Sequence, residues 1–178
     1  QNKPDVGSSI ARKWYDNEDV DVIVDVPTSS VALAVNQITK DKNKIFLVSG
    51  AGTSDLTGKA CSPNTIHWSY DTWCLSHATG APLVQQGWDS WFFITPNYAF
   101  GQMLQADTTH SVEGAGGKVM GGVSYPFPET TDFSAFLPSA VGPERVNALR
   151  RAWKVEPHQR IVLLPGRLTG WKGQKILI

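Results

Sequence analysis

Residues 44–54, KIFLVSGAGTS, form a near-continuous apolar run that ends in a glycine-containing turn. The run predicts a buried strand, because its side chains lack the polar alternation of a half-exposed strand. Residues 19–27, DVDVIVDVP, predict a shorter strand of β-branched residues ended by Pro27, and residues 28–43 predict a helix between the two strands. A strand, a helix and a second apolar strand in this order predict a parallel sheet.

The same alternation continues on both sides of this unit. Further helices are predicted at 7–18, 72–87, 102–117 and 143–153, a strand followed by a turn at 89–101, and further strands at 118–127 and 160–166. In the first helix, Ser8 and Ser9 are expected to cap the start. Residues 61–72, CSPNTIHWSYDT, are expected to be a polar and aromatic connection. About five strands flanked by helices predict an α/β fold with a Rossmann-like parallel sheet covered on both faces.

Composition bounds the class of protein. A chain of 178 residues with 41% hydrophobic and 18% charged residues can bury a full core, which predicts a globular protein. The sequence has neither an apolar run of membrane-spanning length nor a basic region followed by an apolar core, so no transmembrane helix or signal peptide is predicted. Cys61 and Cys74 do not fit a paired zinc motif, and the four histidines are scattered, so no metal site is expected. The sequence leaves open whether the two cysteines form one disulfide or remain two thiols.

The formal net charge of zero is unevenly distributed. Residues 138–178 contain eight Lys or Arg against two acids, a net charge of +6, so residues 1–137 carry −6. Five of the six arginines lie after position 138. This asymmetry indicates two segments with different histories or partners.

Three loops are candidates for ligand binding, because ligands of open parallel sheets bind beyond the carboxyl ends of the strands. They lie at 27–30, 49–54 and 95–101. The first two bring hydroxyls and backbone N–H groups to helix N-termini, and the third adds aromatic surface. Together they would suit a small ligand with an anionic group and an apolar body. The alternative is that these residues only cap helices and form turns.

The first 137 residues resemble the type I periplasmic solute-binding proteins of branched-chain amino acid ABC transporters. The matching stretches, which include SGAGTSDLTGKACSPNTIHWSYDT and WFFITPNYAFG, lie at 1–37, 45–72, 91–101 and 116–137. The resemblance implies two α/β lobes that close around an amino acid or a related small acid and deliver it to a membrane permease. It places part of the first lobe at 1–71 and part of the second at 72–137.

The resemblance also implies the ligand contacts. A hydroxyl loop and a Ser-x-Ala-x-Thr turn would hold the carboxylate and amine of the ligand, and an aromatic residue beside the YAFG turn would cover it. The positions that match these elements are Ser29 or Ser30, Ala51, Thr53, and Tyr98 or Phe100. Relatives with the HWSYDT and NYAFG motifs are often associated with aromatic or other carboxylates, so the implied ligand is not restricted to leucine.

The tail, residues 138–178, resembles a different family. GRLTGWKGQ at 166–174 is similar to a turn that opens the nucleotide-sugar domain of family 4 GT-B retaining glycosyltransferases. The resemblance implies that Arg167 and Lys172 contact a diphosphate, which suits a guanidinium and an ammonium beside glycine backbone. The alternative is a solvated basic face after a strand. The sequence favours that alternative, because the acidic pair and the acceptor domain of such an enzyme are missing.

Two partial resemblances meet near Leu137 and Pro138, and the charge balance changes at the same place. Together these observations predict a chimera assembled from partial domains. Its parts would dock as one sheet, or complete their edges by exchanging elements in a homodimer. We therefore expect a recombined or engineered α/β protein without enzymatic activity or a cofactor. The alternatives are residual binding of an amino acid or aromatic acid, and nucleotide-sugar binding by the tail.

The expected partners follow from the same resemblance. An ABC permease and a periplasmic location are implied for the solute-binding parent alone, and a recombined chain without a signal peptide would be cytoplasmic. Nucleic-acid binding is not expected, because the basic tail does not interleave aromatic and basic residues on one evident surface.

Overall fold

The computed structural model describes residues 2–127, 129–131, 144 and 147. The chain divides into two compact units, Gln1–Phe136 and Leu137–Ile178. The first unit contains every element named below. Of the second, Glu144 and Asn147 are described, and both are helical and exposed.

Helices and strands alternate along the first unit. In chain order they are α1 (Pro4–Asn17), β1 (Val22–Val24), α2 (Ser29–Lys42), β2 (Ile45–Val48), β3 (Thr65–His67), α3 (Thr72–Gln85), β4 (Ser90–Pro96), α4 (Ala99–Gly114) and β5 (Lys118–Tyr125). A short 3-10 helix at Ser54–Leu56 follows β2. The described strands form two parallel sheets, one with the order β1-β2-β3 and one that pairs β4 with β5. The predicted α/β class with about five strands is confirmed.

The three-stranded sheet has an apolar core on one face. Ile23, Phe46 and Val48 are buried there, because alternate strand residues point to the same side, where α1 and α2 pack. From α1, the Tyr15 hydroxyl lies 2.9 Å from Thr39 Oγ1 and donates to the Ile45 carbonyl at 3.2 Å. Burial raises the pKa of Tyr15, while the Thr39 hydrogen bond and the Lys44 charge oppose that rise.

The opposite face of this sheet is apolar and exposed. Val22 is paired in register with Ile45, and the exposed side chains of this face also include Val24 and Ile66. The sequence-based expectation of a sheet covered on both faces is therefore not met among the described residues.

In the second sheet the strand residues are mostly half-buried, and the buried contacts lie between α3 and α4. Ser76 Oγ donates to the Thr72 carbonyl at 2.6 Å and lies 3.0 Å from Thr108 Oγ1. Gly80 packs directly on Ser111: a Cβ added at this glycine would lie 2.8 Å from Ser111 Oγ. The two helices can approach closely because small residues face each other.

The boundaries of several elements differ from the predictions; α4, for example, covers Ala99–Gly114 rather than 102–117. The first helix begins at Pro4 rather than residue 7, because proline suits the first helical turn, so Ser8 and Ser9 lie inside the helix and do not cap it. Part of the predicted connection 61–72 is strand β3, which at three residues is too short to show a clear strand pattern. The predicted strand at 160–166 lies outside the described residues, and the lobe boundary between residues 71 and 72 stays a prediction. In the described part of the chain, no helix is long and apolar enough to cross a membrane.

Candidate ligand site at the strand ends

The carboxyl ends of the strands carry all six positions that the sequence predicts for a ligand. Ser29 and Ser30 begin α2, Ala51 and Thr53 follow β2, and Tyr98 precedes α4 while Phe100 lies in its first turn. Parallel strands place their carboxyl ends at one edge of a sheet, where helix N-termini also point.

Ser29 has the most unusual environment of the six. Its side chain is buried, with 1% of the residue exposed, and its Oγ has no hydrogen-bond partner among the residues that the structure describes. The N-cap residue Thr28 does not cap the helix with its side chain, because its hydroxyl donates to Asn2 Oδ1 at 2.7 Å. The first turn of α2 holds no acidic side chain. An anion is therefore the natural partner for Ser29 and the first N–H groups of this helix.

The loop before Ser29 has a strained backbone. Asp25 and Val26 both adopt left-handed conformations, with φ of 79° and 59°, which is costly for a β-branched residue. Tertiary contacts hold the loop in place. The Asp25 N–H donates to the Leu47 carbonyl at 2.8 Å, and Ser49 Oγ donates to the Asp25 carboxylate at 3.1 Å.

The turn after β2 is buried and extensively hydrogen-bonded. The Ala51 carbonyl lies 2.8 Å from His67 Nε2, and the Gly52 carbonyl accepts from the Thr72 N–H at 2.7 Å. Thr53 Oγ1 accepts from the Asp55 N–H at 3.3 Å, and the residue has no exposed surface. These bonds fix the backbone of the turn.

Aromatic rings gather beside this turn. A Cβ added at Gly52 would lie 2.9 Å from Phe100 Cε2 and 3.2 Å from Tyr70 Cε2, so glycine is needed here for close approach rather than for its backbone angles. The Tyr98 ring stacks on Phe127 with centroids 4.7 Å apart and is tilted against Phe100 at 6.1 Å. The structure thus brings Phe100 to the turn that carries Ala51 and Thr53.

Tyr70 and Phe127 are the residues of this cluster that sequence reasoning missed. Tyr70 lies within HWSYDT, a motif used as a mark of resemblance, but nothing in its spacing indicates contact with Gly52.

The phenol of Tyr98 is held in its neutral form. Burial raises the pKa of Tyr98, and the neighbouring Tyr125 and Tyr70 raise it further. Its hydroxyl therefore remains a hydrogen-bond donor at neutral and moderately alkaline pH.

The described residues hold no group of three or more His, Cys, Asp or Glu side chains that could bind a metal ion. Cys61 and Cys74 are exposed and are not joined in a disulfide. Arg167 and Lys172, the predicted phosphate contacts, lie outside the described residues.

The fold is that of an α/β protein, and its candidate ligand site lies at the carboxyl ends of parallel strands. The family model described as periplasmic binding protein matches residues 1–142, and the chain belongs to this family. A search of curated proteins gives no match.

Solved structures resemble the chain over most of its length. A periplasmic binding protein from Burkholderia mallei is 39% identical with a TM-score of 0.76, and the match covers 86% of this chain and 44% of that one. A branched-chain amino acid ABC transporter ligand-binding protein from Burkholderia xenovorans is 30% identical with a TM-score of 0.61, covering 89% and 45%. A solute-binding protein of an ABC transporter from Rhodopseudomonas palustris, in complex with 3,4-dihydroxybenzoic acid, is 25% identical with a TM-score of 0.69, covering 78% and 37%. The chain therefore spans less than half the length of these structures.

Proposed function

We propose that this chain binds a small carboxylate, an amino acid or an aromatic acid, as part of a substrate-binding protein of ABC transport. The observation that carries the proposal is the buried Ser29 hydroxyl without a partner at an uncapped helix N-terminus. A buried polar group without a hydrogen bond is costly, so its retention is explained by a ligand that supplies the missing partner.

The proposed roles follow the chemistry of each position. Ser29, with Ser30 beside it, and the first N–H groups of α2 bind the carboxylate. Thr53 donates a hydrogen bond from its hydroxyl, while Ala51 shapes the buried turn. Tyr98 and Phe100 cover the apolar body of the ligand. The role is binding rather than catalysis, and the membrane permease that receives the ligand and the periplasmic location belong to the same proposal.

Isothermal titration calorimetry of the full chain with leucine, phenylalanine, benzoate and 4-hydroxybenzoate tests the proposal. Ser29→Ala should weaken binding of whichever carboxylate binds by about 10- to 100-fold, because a hydrogen bond to a charged group is lost. The same variant should keep or slightly raise the free energy of unfolding without ligand, since it removes an unsatisfied hydroxyl.

Ser9→Ala is the matched control, because Ser9 is exposed on α1 and its hydroxyl donates to the Asp5 carbonyl at 2.9 Å. The control should bind like the parent chain. Absence of binding by all four compounds at millimolar concentration, or equal binding by the parent chain and Ser29→Ala, would contradict the proposal.

No single observation favours the more specific predictions about the origin of this chain. The family model extends to residue 142, past the junction predicted at Leu137 and Pro138. The recombined origin, the lack of an evolved activity, the cytoplasmic location, the homodimer and nucleotide-sugar binding by Arg167 and Lys172 stay predictions. Stabilisation by UDP that is lost in Arg167→Ala would support the last of these.

A further inference from the structure

The loop after β3 presents an aromatic residue at the same edge as the predicted ligand contacts. Tyr70 lies three residues beyond the end of β3 at His67, where the carboxyl ends of β2 and β3 are paired in register. Its ring contacts the turn at Gly52, although 41% of the residue remains exposed. Tyr70 therefore touches a buried turn and also keeps part of its surface in solvent.

The backbone on both sides of Tyr70 is held in place. Trp68 N–H donates to the Val48 carbonyl at 3.2 Å, and Thr72 N–H donates to the Gly52 carbonyl at 2.7 Å. His67 Nε2 lies 2.8 Å from the Ala51 carbonyl. Because the anchors before and after Tyr70 both join it to the region around the Ala51–Thr53 turn, the ring is preorganised beside that turn.

The turn after β2 contacts both the loop that leads to Ser29 and the rings of Phe100 and Tyr70. A Cβ added at Gly50 would lie 2.9 Å from the Cα of Pro27, in the loop that leads to Ser29, whereas a Cβ added at Gly52 would meet the rings of Phe100 and Tyr70. Two residues span at most about 7 Å. The Cα atoms of Gly50 and Gly52 therefore lie within about 7 Å of each other, so the ring pair stands near the loop that leads to Ser29.

We propose that Tyr70 is a ligand-contacting and specificity-determining residue, and that its ring and that of Phe100, which meet at Gly52, favour a flat aromatic carboxylate over a branched aliphatic one. The inference rests on the proposed carboxylate-binding function. Aromatic pairs in stacked or edge-to-face geometry gain energy beyond the area that they bury, and a branched aliphatic side chain lacks that contribution. Tyr70 raises the pKa of Tyr98. This agrees with the placement of Tyr70, because such an effect requires the two phenols to lie near each other.

Isothermal titration calorimetry of the full chain with benzoate and with leucine tests the inference. Benzoate should bind more tightly than leucine. Tyr70→Ala should weaken benzoate binding by about three- to tenfold and change leucine binding by less than about twofold, because one aromatic contact is lost. Tyr70→Phe keeps the ring and should retain the affinity for benzoate.

Trp14→Ala is the matched control, since Trp14 is also aromatic and 41% exposed. Its carbonyl accepts from the Val20 N–H just before β1, which places it at the opposite edge of the sheet. The control should bind benzoate like the parent chain, and thermal unfolding curves of each variant establish that it is folded.

The outcomes separate the two proposals. Leucine binding that Ser29→Ala weakens, together with weaker or absent benzoate binding, overturns the role of Tyr70 and leaves the proposed function intact. Equal loss of both ligands in Tyr70→Ala, or no loss of either, also overturns it. Absence of binding by every carboxylate overturns both proposals.

Discussion

The two sheets of the first unit fill their interiors by different means. Around β1, β2 and β3 the core consists of large apolar side chains such as Ile38, Phe46 and Val48, all with almost no exposed surface. Around β4 and β5 the aromatic strand residues are half-buried, and the tight contacts are between small residues of α3 and α4. Stability should therefore depend on side-chain volume in the first region and on helix spacing in the second.

Removal of an aromatic ring from each region should give the largest difference in the free energy of unfolding. Phe46→Ala should lower the free energy of unfolding by about 3–5 kcal/mol, because a fully buried ring leaves a cavity. Phe93→Ala, on half-buried β4, should cost about half as much or less, since part of the ring's surface already faces water. Urea unfolding followed by circular dichroism measures both values, and equal losses would remove the contrast.

The second test adds a methyl group between the helices. Gly80→Ala should destabilise by about 1–2 kcal/mol although alanine favours helix, because the new Cβ would lie 2.8 Å from the buried Ser111 hydroxyl. Gly114→Ala is the matched control at the end of α4, where a Cβ would meet nothing within 4 Å. The control should be neutral or stabilising by up to about 1 kcal/mol in the same unfolding measurement. A stabilised Gly80→Ala variant would disprove the role of close helix packing.

The smallest effect is expected at Tyr15, whose hydroxyl is a polar group within the core of the first region. Tyr15→Phe should cost about 1 kcal/mol at neutral pH, because Thr39 and the Ile45 carbonyl lose its hydroxyl.

The contribution of Tyr15 also depends on pH. Burial raises the folded-state pKa above the ordinary value of 10.0, so the contribution is fully present below pH 10.0 and is lost as pH rises through the folded pKa. The unfolding free energy of the parent chain should therefore fall more steeply above pH 10.0 than that of Tyr15→Phe. Parallel pH profiles would show that this phenol has no such role.

Sequence alone predicted the elements whose pattern is local. The apolar run at 44–54 and the β-branched residues near Val22 specify β2 and β1, and the helix between them follows. Strand β3 was missed because its form depends on its neighbour: Asn64 Nδ2 donates to the Lys44 carbonyl at 2.9 Å, and the Asn64 carbonyl accepts from the Phe46 N–H. Such pairing leaves no periodic trace in three residues.

The residues of the candidate site were likewise predictable from the sequence only in part. Family motifs pointed to Ser29, Thr53 and Phe100, but they carry no information about which hydroxyl lacks a partner. The approach of Tyr70 to Gly52 depends on how the loops after β2 and β3 meet, which is a property of the assembled sheet.

The left-handed pair Asp25 and Val26 has a consequence for the order of folding. In an isolated peptide the residue before proline prefers extended backbone, so Val26 has no local tendency toward its native conformation. The Asp25 hydrogen bond to the Leu47 carbonyl can form only after β1 and β2 have come together. We therefore expect the pairing of β1 with β2 to precede the final placement of the loop that leads into α2.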